Sequence, residues 1–444
     1  MDSSLDIKIN FGSLLKFALP TILSMVIMSV FGSIDGIFIS RFIDVASLSA
    51  ANISMPILTA TIAVGAMFAA GGSALVAKKK GEGLEVEARE NFSLLIYFIV
   101  GISVLAAIIV LIFMEPLLRQ LGADDFLMGM TREYITPIVI AIPFISLGFI
   151  FNQFLIADGK PTLAMIITII GGLSNISLNW VFIYLMDMEL FGAALATTIG
   201  YSVPSVVGIV YFTFFRKGSG LYFVKPRLDL KAITQSMTNG LSEFISMFAL
   251  TVTTTFMNNI IMDIEGPLGV AAVGIMMAVQ GLMTSLFMGY AFGVSPLISF
   301  NHGKGDTDNL KKIYALSLKT VFALSLISIL VGNVFASPLT AIYVPRGAEV
   351  YEMAVYGLRV VTTGFVFIAF NIFASAMFTA LNNGKISGLL SFFRSLVFLS
   401  FSFLVMPRFF QMNGVWIAIP LAELLALAMT VYYFKKMKPK YHYA

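Results

Sequence analysis

Cysteine is absent from the 444-residue chain, and only two histidines occur, His302 in a polar loop and His442 in the basic tail. Without cysteine the chain forms no disulfides, iron–sulfur clusters or thiolate metal sites. Two isolated histidines argue against a histidine-based metal site or catalytic triad. No histidine, cysteine or serine constellation of an intramembrane enzyme is visible in the sequence. We therefore expect no cofactor, no metal and no enzyme activity.

Charge is also scarce, since only 12% of the residues are charged and 58% are hydrophobic, with a mean hydropathy of +0.92. Soluble globular proteins carry about 25% charged residues. The composition therefore predicts an all-α polytopic membrane protein. The first apolar stretch, 17–40, is too long for a signal-peptide core and lacks a small-residue cleavage pattern, so it predicts a retained first helix. A net charge of +4 does not indicate nucleic-acid binding.

Apolar stretches alternate with polar breaks along the whole chain, and their lengths predict twelve transmembrane helices. The predicted spans are 14–40, 48–77, 93–114, 132–156, 162–185, 192–215, 233–262, 268–299, 312–335, 350–380, 386–407 and 414–434. Alternate loops carry 20 basic residues on one side and five on the other. Because basic loops face the cytoplasm, this asymmetry predicts a multi-pass membrane protein with both termini cytoplasmic.

The two halves of the chain partly match each other when the sequence is shifted by 222 residues. Matching pairs are Ala50 and Ala272, Met55 and Met277, Gly71 and Gly293, Ser73 and Ser295, and Gly192 and Gly414. Near residue 158 the shift becomes 225, which places Asp158-Gly159-Lys160 on Asn383-Gly384-Lys385. These matches predict a parallel repeat with pseudo-two-fold symmetry about an axis along the membrane normal.

The predicted organisation is therefore an N-lobe at 1–215, a cytoplasmic linker at 216–231 and a C-lobe at 232–444. Two duplicated six-helix lobes favour a secondary transporter that works by alternating access. No phosphate-binding loop of the GxxxxGK[ST] type occurs, so the sequence gives no support for direct ATP coupling.

Asp35 lies within the first apolar span, where a carboxylate costs about 2.5–3.5 kcal/mol on insertion scales unless it faces a cavity or is protonated. It is therefore a candidate proton or cation site, although an acid near a helix end can also simply reach water. Asn175 and Asn179 are four residues apart and share a helix face. Together with Thr197 they are candidates for one polar pocket with Asp35. The alternative for the amides and the hydroxyl is interhelical polar contact, worth about 0.6 kcal/mol each.

Glu243 and Glu423 are the other deep acids, and Glu243 is a further candidate for ion coupling. The alternative for each acid is a structural ion pair with a deep cation such as Arg394. Pro20 is a candidate gating kink because it shares the first span with Asp35. Pro143, Pro204, Pro296 and Pro420 are further candidate kinks. Candidate residues of a substrate pathway are Asn152, Gln153, Tyr201, Gln280 and Asn371. The 25 methionines and 41 phenylalanines provide the adaptable apolar surface that promiscuous binding uses.

Three stretches resemble one known family. LKFALPTILSMVIMSVFGSIDGIFISRFID, FNQFLIADGKPTLAM and NISLNWVFIYLMDMELFGAALATTIG are similar to the first helix, the fourth turn and the fifth and sixth helices of the multidrug and toxic compound extrusion (MATE) family, of the MepA/DinF bacterial type. The resemblance covers the whole chain. It implies multidrug efflux, in which amphiphilic or cationic compounds are exported in exchange for H⁺ or Na⁺. It also implies a location in the bacterial inner (plasma) membrane.

The resemblance also implies site residues. The family's first-helix acid falls on Asp35, its fifth-helix asparagine on Asn175 and its sixth-helix threonine on Thr197. Its fifth-helix acid falls on Asn179, so only one carboxylate remains in that pocket. Glu243 matches a seventh-helix glutamate, whereas the tenth span offers Asn371 and no acid.

We therefore expect an antiporter with Asp35 as the main coupling carboxylate, a small-molecule substrate, a bilayer environment, no nucleic-acid partner and a monomeric state. The alternative is a lipid-linked precursor flippase of the same superfamily. Such relatives carry extra helices and a basic cavity, and twelve spans with few buried arginines argue against it.

Overall fold

The computed structural model describes residues 4–43, 45–215 and 220–444, without the side chains at 32–37, 39–42 and 45. Regular structure in these residues is entirely helical. Helix follows from sequence here because a bilayer offers the backbone no hydrogen-bond partners, so each spanning segment satisfies its own N–H and C=O groups.

The first repeat contains six helices. They are α1 (Phe11–Phe42), α2 (Val45–Gly81), α3 (Glu85–Ile112), the bent α4 (Leu127–Ile140 and Ile142–Ala157), α5 (Pro161–Asn179, continued by a π-helix at Trp180–Leu185) and α6 (Glu189–Val210, continued by a π-helix at Tyr211–Phe215). A short helix, Met114–Gln120, separates α3 from α4.

The second repeat has the same order. Helices α7 and α8 share Leu230–Lys304, which is broken at Gly266; α9 is Thr307–Val334; α10 is bent between Glu349–Thr362 and Phe365–Ala380. Helix α11 starts at Gly384–Phe392, passes a π-helix at Phe393–Phe398 and enters Leu399–Tyr441, whose break at Gln411 begins α12. Ala336–Ala341 is the short helix between α9 and α10.

The twelve predicted spans are confirmed. Among the described residues, eight helices are long and apolar enough to cross a membrane, and two bent pairs raise the number to ten. Two of these helices, Leu230–Lys304 and Gly384–Tyr441, each contain a backbone break at which one span ends and the next begins. Splitting them gives twelve spans.

The repeat is visible in local geometry. Helix α4 bends by 51° and α10 by 55° at equivalent positions. The turns that follow them contain Gly159 (φ 75°) and Asn382 (φ 56°), both in the left-handed region that glycine and asparagine tolerate best. Gly159 therefore corresponds to Asn382, an offset of 223. The predicted offset of 225 at this turn is wrong because it aligned similar residue types rather than the left-handed turn residue.

The chain forms two compact units, Met1–Asp6 with Ile27–Gly240, and Ile7–Val26 with Leu241–Ala444. The first unit thus contains the start of α7, and the second contains the start of α1. Glycines permit this packing: a Cβ at Gly240 would overlap the Met67 carbonyl within the first unit, and one at Gly293 would lie 2.9 Å from Ala18 Cα within the second. The lobe boundaries predicted from sequence remain predictions.

The segment after α6 is docked within the first unit. The Leu221 N–H donates to Asp158 Oδ1 at 3.0 Å, and Asp158 also pairs with Lys80 Nζ at 3.2 Å. Arg89 Nε donates to the Gly220 carbonyl at 2.8 Å. Both side chains of the Lys80–Asp158 pair are almost completely buried. Residues 220–224, called the post-α6 segment below, are therefore held in place rather than loosely tethered.

Residues 441–444, the tail segment, repeat this arrangement in the second unit at an offset of 222. Tyr443 is fully buried, as Leu221 is, and its hydroxyl donates to the Phe434 carbonyl at 2.7 Å. Its ring lies 4.9 Å from that of Tyr314. The residue before it, His442, has a φ of 52°, and the residue before Leu221, Gly220, has a φ of 66°. Each repeat therefore ends in a left-handed turn followed by a buried side chain.

Candidate ion and substrate sites

Three of the predicted site residues are buried together in the first unit. Asn175 and Asn179 lie one turn apart at the end of α5, and Asn179 Nδ2 donates to Asn175 Oδ1 at 3.4 Å. Thr197 is buried on α6, the helix that packs along α5. Asn179 immediately precedes the π-helix Trp180–Leu185. This arrangement provides amide and hydroxyl groups for an ion or a protonated carboxyl.

Two glycines bring the helices of this cluster together. A Cβ on Gly200 would lie 2.7 Å from Asn175 Cβ, and one on Gly171 would lie 2.7 Å from the Gly200 carbonyl oxygen. Small residues at such crossings let two membrane helices approach closely. The glycines therefore set the position of Asn175 against α6.

Asp35 belongs to α1, but its side chain lies outside the described residues. Its relation to Asn175, Asn179 and Thr197 remains a prediction. Pro20 is buried inside the same helix, and its carbonyl accepts a hydrogen bond from Ser24 Oγ at 2.9 Å. The Ser24 hydroxyl therefore engages a backbone carbonyl one turn earlier in the helix.

The remaining first-repeat candidates occupy packed positions. Asn152 Nδ2 donates to Thr168 Oγ1 at 2.8 Å, so this amide joins α4 to α5. Gln153 is buried on α4. Tyr201 stacks on Phe149 with ring centroids 6.4 Å apart. Their roles in a substrate pathway remain predictions.

A cavity of about 460 Å³ lies inside the second unit, between α7, α8, α10, α11 and α12. Its lining is mainly apolar and flexible, with four methionines and two phenylalanines: Met247, Met257, Met277, Met288, Phe292 and Phe403. The charged residues of the lining are Glu243, Arg394 and Glu423, and Gln280 adds an amide. A drug-sized cavity with an apolar wall and a few polar groups is the usual form of a small-molecule site.

Arg394 and Glu423 form an ion pair at the wall of this cavity. Arg394 Nε lies 2.9 Å from Glu423 Oε1 and 3.0 Å from Oε2. Asn371 Nδ2 donates to Glu423 Oε2 at 2.8 Å and to the Glu423 carbonyl at 2.9 Å. Thr430 Oγ1 in turn donates to Asn371 Oδ1 at 2.8 Å. The sequence left open which acid pairs with Arg394, and the structure assigns Glu423.

Glu243 is the unpaired acid of the cavity. No basic side chain lies within 4.0 Å of it among the described residues, although Arg394 acts on it electrostatically. With both acids ionised, the cavity wall carries one excess negative charge. Gln280 lines the cavity as well, whereas Asn371 is buried behind Glu423 and holds it.

The same place in the first unit is built differently. At an offset of 223, Asn371 corresponds to Gly148, and Glu423 corresponds to Tyr201 at 222. A Cβ on Gly148 would lie 2.9 Å from the Tyr201 carbonyl oxygen. The equivalent carbonyl in the second unit, that of Glu423, accepts a hydrogen bond from Asn371. The Asn371–Glu423–Thr430 network is not among the interactions predicted from the sequence. Its signal was the seven-residue spacing of Glu423 and Thr430, which puts both on the face of α12 that meets α10.

No group of three histidine, cysteine, aspartate or glutamate residues suited to a metal ion occurs among the residues whose positions the structure describes. The candidate sites therefore consist of carboxylates, amides, hydroxyls and one guanidinium. These groups suit protons, monovalent cations and organic ions.

Comparison with known proteins agrees with this architecture. The MatE family model matches residues 20–181 and 244–404, one match in each repeat. The multidrug export protein MepA of Staphylococcus saprophyticus is 24% identical over 427 residues, covering 95% of this chain and 91% of the relative. MepA of Staphylococcus haemolyticus is 25% identical over 429 residues, covering 95% and 93%.

Solved structures show the same fold. A crystal structure of MATE in complex with MaL6 superimposes with a TM-score of 0.93 at 20% identity, covering 98% of this chain and 97% of the other. An outward-facing multidrug resistance MATE family transporter of the MOP superfamily gives 0.91 at 21% identity, with the same coverage of 98% and 97%. The matched structures have twelve transmembrane helices in two lobes. The chain therefore belongs to the MatE family and is a membrane transporter rather than an enzyme.

Proposed function

We propose that this protein is a secondary active multidrug exporter, which moves amphiphilic or cationic compounds outward in exchange for H⁺ or Na⁺. The observation that carries the proposal is the cavity of the second unit, whose apolar, methionine-rich wall contains one unpaired carboxylate, Glu243. Such a wall adapts to many apolar shapes, and the carboxylate favours cations.

Coupling is assigned to Asp35, because Asn179 replaces the second acid that the family resemblance places beside it. When Asp35 is ionised it favours a bound cation, and protonation from outside removes that attraction and favours release. Pro20 lies in the same helix and permits a local change of its direction. Ion binding at the first repeat thereby alternates the access of the two lobes.

We propose the cellular setting from the charge of the loops and from the family resemblance. We place the protein as a monomer in the bacterial inner (plasma) membrane with both termini in the cytoplasm, with an N-lobe at 1–215, a cytoplasmic linker at 216–231 and a C-lobe at 232–444. Its partners are then small molecules and lipid.

Efflux of an ethidium-type cationic dye from cells that express the chain tests this function. A protonophore and a sodium ionophore, added separately, identify the coupling ion. We expect Asp35→Asn to lose gradient-driven efflux, while Asp125→Asn, which removes a highly exposed carboxylate of the α3–α4 connection, keeps it. Full gradient-driven efflux by Asp35→Asn would contradict the assigned coupling residue, and absence of any efflux by the natural chain would contradict the function.

A further inference from the structure

Arg394 presents unused hydrogen-bond donors to the cavity of the second unit. Its guanidinium carries five N–H groups, and the bonds it makes to described residues all come from Nε. The terminal nitrogens therefore have no protein acceptor in that part of the chain, and the residue lines the cavity. Arg394 also lies in the π-helix Phe393–Phe398, a deviation from α-helix that is frequent at functional sites.

Glu423 does not compete for these donors or for a ligand. Its two carboxylate oxygens accept from Arg394 Nε, and Oε2 also accepts from Asn371. Thr430 fixes the Asn371 amide in turn. The pair is therefore a rigid unit that aims the terminal guanidinium edge, and the ligand-directed charges that remain are the Arg394 terminus and the Glu243 carboxylate.

A simple cation satisfies only half of this site. It neutralises Glu243 but leaves the Arg394 terminal donors without an acceptor in a mainly apolar cavity, which is costly. A simple anion satisfies Arg394 but faces the negative charges of Glu243 and Glu423. A ligand that carries both charges satisfies both groups.

We propose that the cavity of the second unit selects zwitterionic amphiphiles, whose carboxylate accepts from the Arg394 terminal nitrogens and whose cationic group faces Glu243. This inference rests on the proposed export function and names the substrate class of the same cavity. Arginine suits the role because its planar fork matches a carboxylate with two parallel hydrogen bonds. The methionines and phenylalanines of the wall then hold the apolar body of the ligand.

Two dyes that differ only at the carboxylate test the proposal. Rhodamine B is a zwitterion in its open, fluorescent form, and its ethyl ester is a cation of nearly the same shape. Their dissociation constants for the full-length, detergent-solubilised protein are measured by fluorescence polarisation. The test variant is the double substitution Arg394→Gln/Glu423→Gln, which avoids leaving either charge buried without its partner.

We expect the double variant to bind rhodamine B about tenfold more weakly and to bind the ester with little change. Glu243→Gln should weaken the binding of both dyes, because both dyes carry the cationic group. Arg359→Gln is the matched control, since it removes an exposed arginine of α10 that does not line the cavity, and it should bind both dyes as the natural chain does.

The possible outcomes distinguish failure of the zwitterion selection from failure of the proposed export function. Suppose that the natural chain exports the ester, and that the double substitution weakens the binding of both dyes equally or changes the binding of neither. Export then stands, and the selection of zwitterions is wrong. If the natural chain neither binds nor exports either dye, the proposed function fails and this inference fails with it. A selective loss of rhodamine B binding by the double variant supports the selection of zwitterions.

Discussion

For single residues of the candidate sites, the sequence predicts some properties and not others. The depth of Glu243, Arg394 and Glu423 followed from their positions along apolar spans. Their pairing did not, because it depends on the rotation of α11 and α12 about their axes, which side-chain packing sets. Asn371 shows the same limit: its place on a substrate pathway stays a prediction, and its two hydrogen bonds to Glu423 do not follow from the sequence.

Tyr443 gives a prediction at the residue scale. Burial raises the pKa of its phenol, and the neighbouring Tyr314 and Tyr441 raise it further. Because the folded pKa is raised, the stability that Tyr443 contributes is complete below the unfolded value of about 10 and is lost as pH rises through the folded value. Tyr443→Phe removes both this ionisation and a hydrogen bond worth roughly 0.5–1.5 kcal/mol.

We therefore expect Tyr443→Phe to be less stable than the natural chain at neutral pH and to lose less stability as the pH is raised above about 10. The measurement is the thermal midpoint of the solubilised protein as a function of pH. Tyr432→Phe changes an exposed tyrosine of the preceding helix, α12, and serves as control. A constant difference between natural chain and variant across this range would contradict the ionisation of Tyr443.

At the scale of elements, helix existence was predictable and helix limits were not. The third span was expected at 93–114, and α3 covers Glu85–Ile112. Its first turns carry the charged residues Glu85, Glu87 and Arg89. The apolar stretch therefore begins later than the helix, whose first turns extend into water. The bend in α4 lies beside Pro143, a predicted kink, but the bend in α10 follows Thr362 without a proline. Only packing reveals such a bend.

The turn between α7 and α8 depends on Gly266. Its φ of 66° and ψ of −155° lie in a region that is essentially restricted to glycine, and a Cβ there would meet no atom within 4 Å. Gly266→Ala therefore tests backbone strain alone. We expect a cost of about 1–3 kcal/mol, reduced by the roughly 0.4–1 kcal/mol that alanine gains by restricting the unfolded chain.

The measurement is the thermal midpoint of the solubilised protein. Gly274→Ala is the control, since this helical glycine also has open space around it and no left-handed backbone, so alanine should be neutral or stabilising there. Equal effects of the two substitutions would contradict the strain at Gly266.

Asp158 connects the post-α6 segment to the body of the first unit. Asp158→Ala removes the partner of buried Lys80 and the acceptor of the Leu221 N–H. Breaking one side of a buried ion pair typically costs about 3–5 kcal/mol. We expect the segment to detach, and trypsin to cleave faster after the exposed Arg227.

Two further variants separate anchoring from stability. Lys80→Met/Asp158→Leu replaces the pair by apolar groups and should recover thermal stability while cleavage stays fast, because Leu221 still lacks its acceptor. Glu82→Ala removes a partly exposed carboxylate of the neighbouring turn and should cleave at the natural rate. Slow cleavage in both Asp158 variants would show that other contacts hold the segment.

At the scale of the whole molecule, the duplication explains why the twelve spans could be predicted from the sequence. The two repeats share one order of helices, so residue matches at an offset near 222 relate the spans of one half to those of the other. The compact units were less accessible, because the start of α1 packs in the second unit and the start of α7 in the first. That exchange depends on backbone approach at glycines such as Gly240, which residue type alone does not specify.

The absence of cysteine makes the membrane orientation directly testable, since every introduced cysteine is the only one in the chain. Basic loops predict that Asp229→Cys and Lys385→Cys face the cytoplasm, and that Asp125→Cys and Arg346→Cys face the outside. A membrane-impermeant maleimide applied to intact spheroplasts should label only the outer pair, and applied to inverted vesicles only the inner pair. Permeabilised membranes, in which all four should react, provide the control. Labelling of any site from the opposite side would mean that the number of spans between that site and its neighbours is wrong by one. The two repeats would then not be parallel.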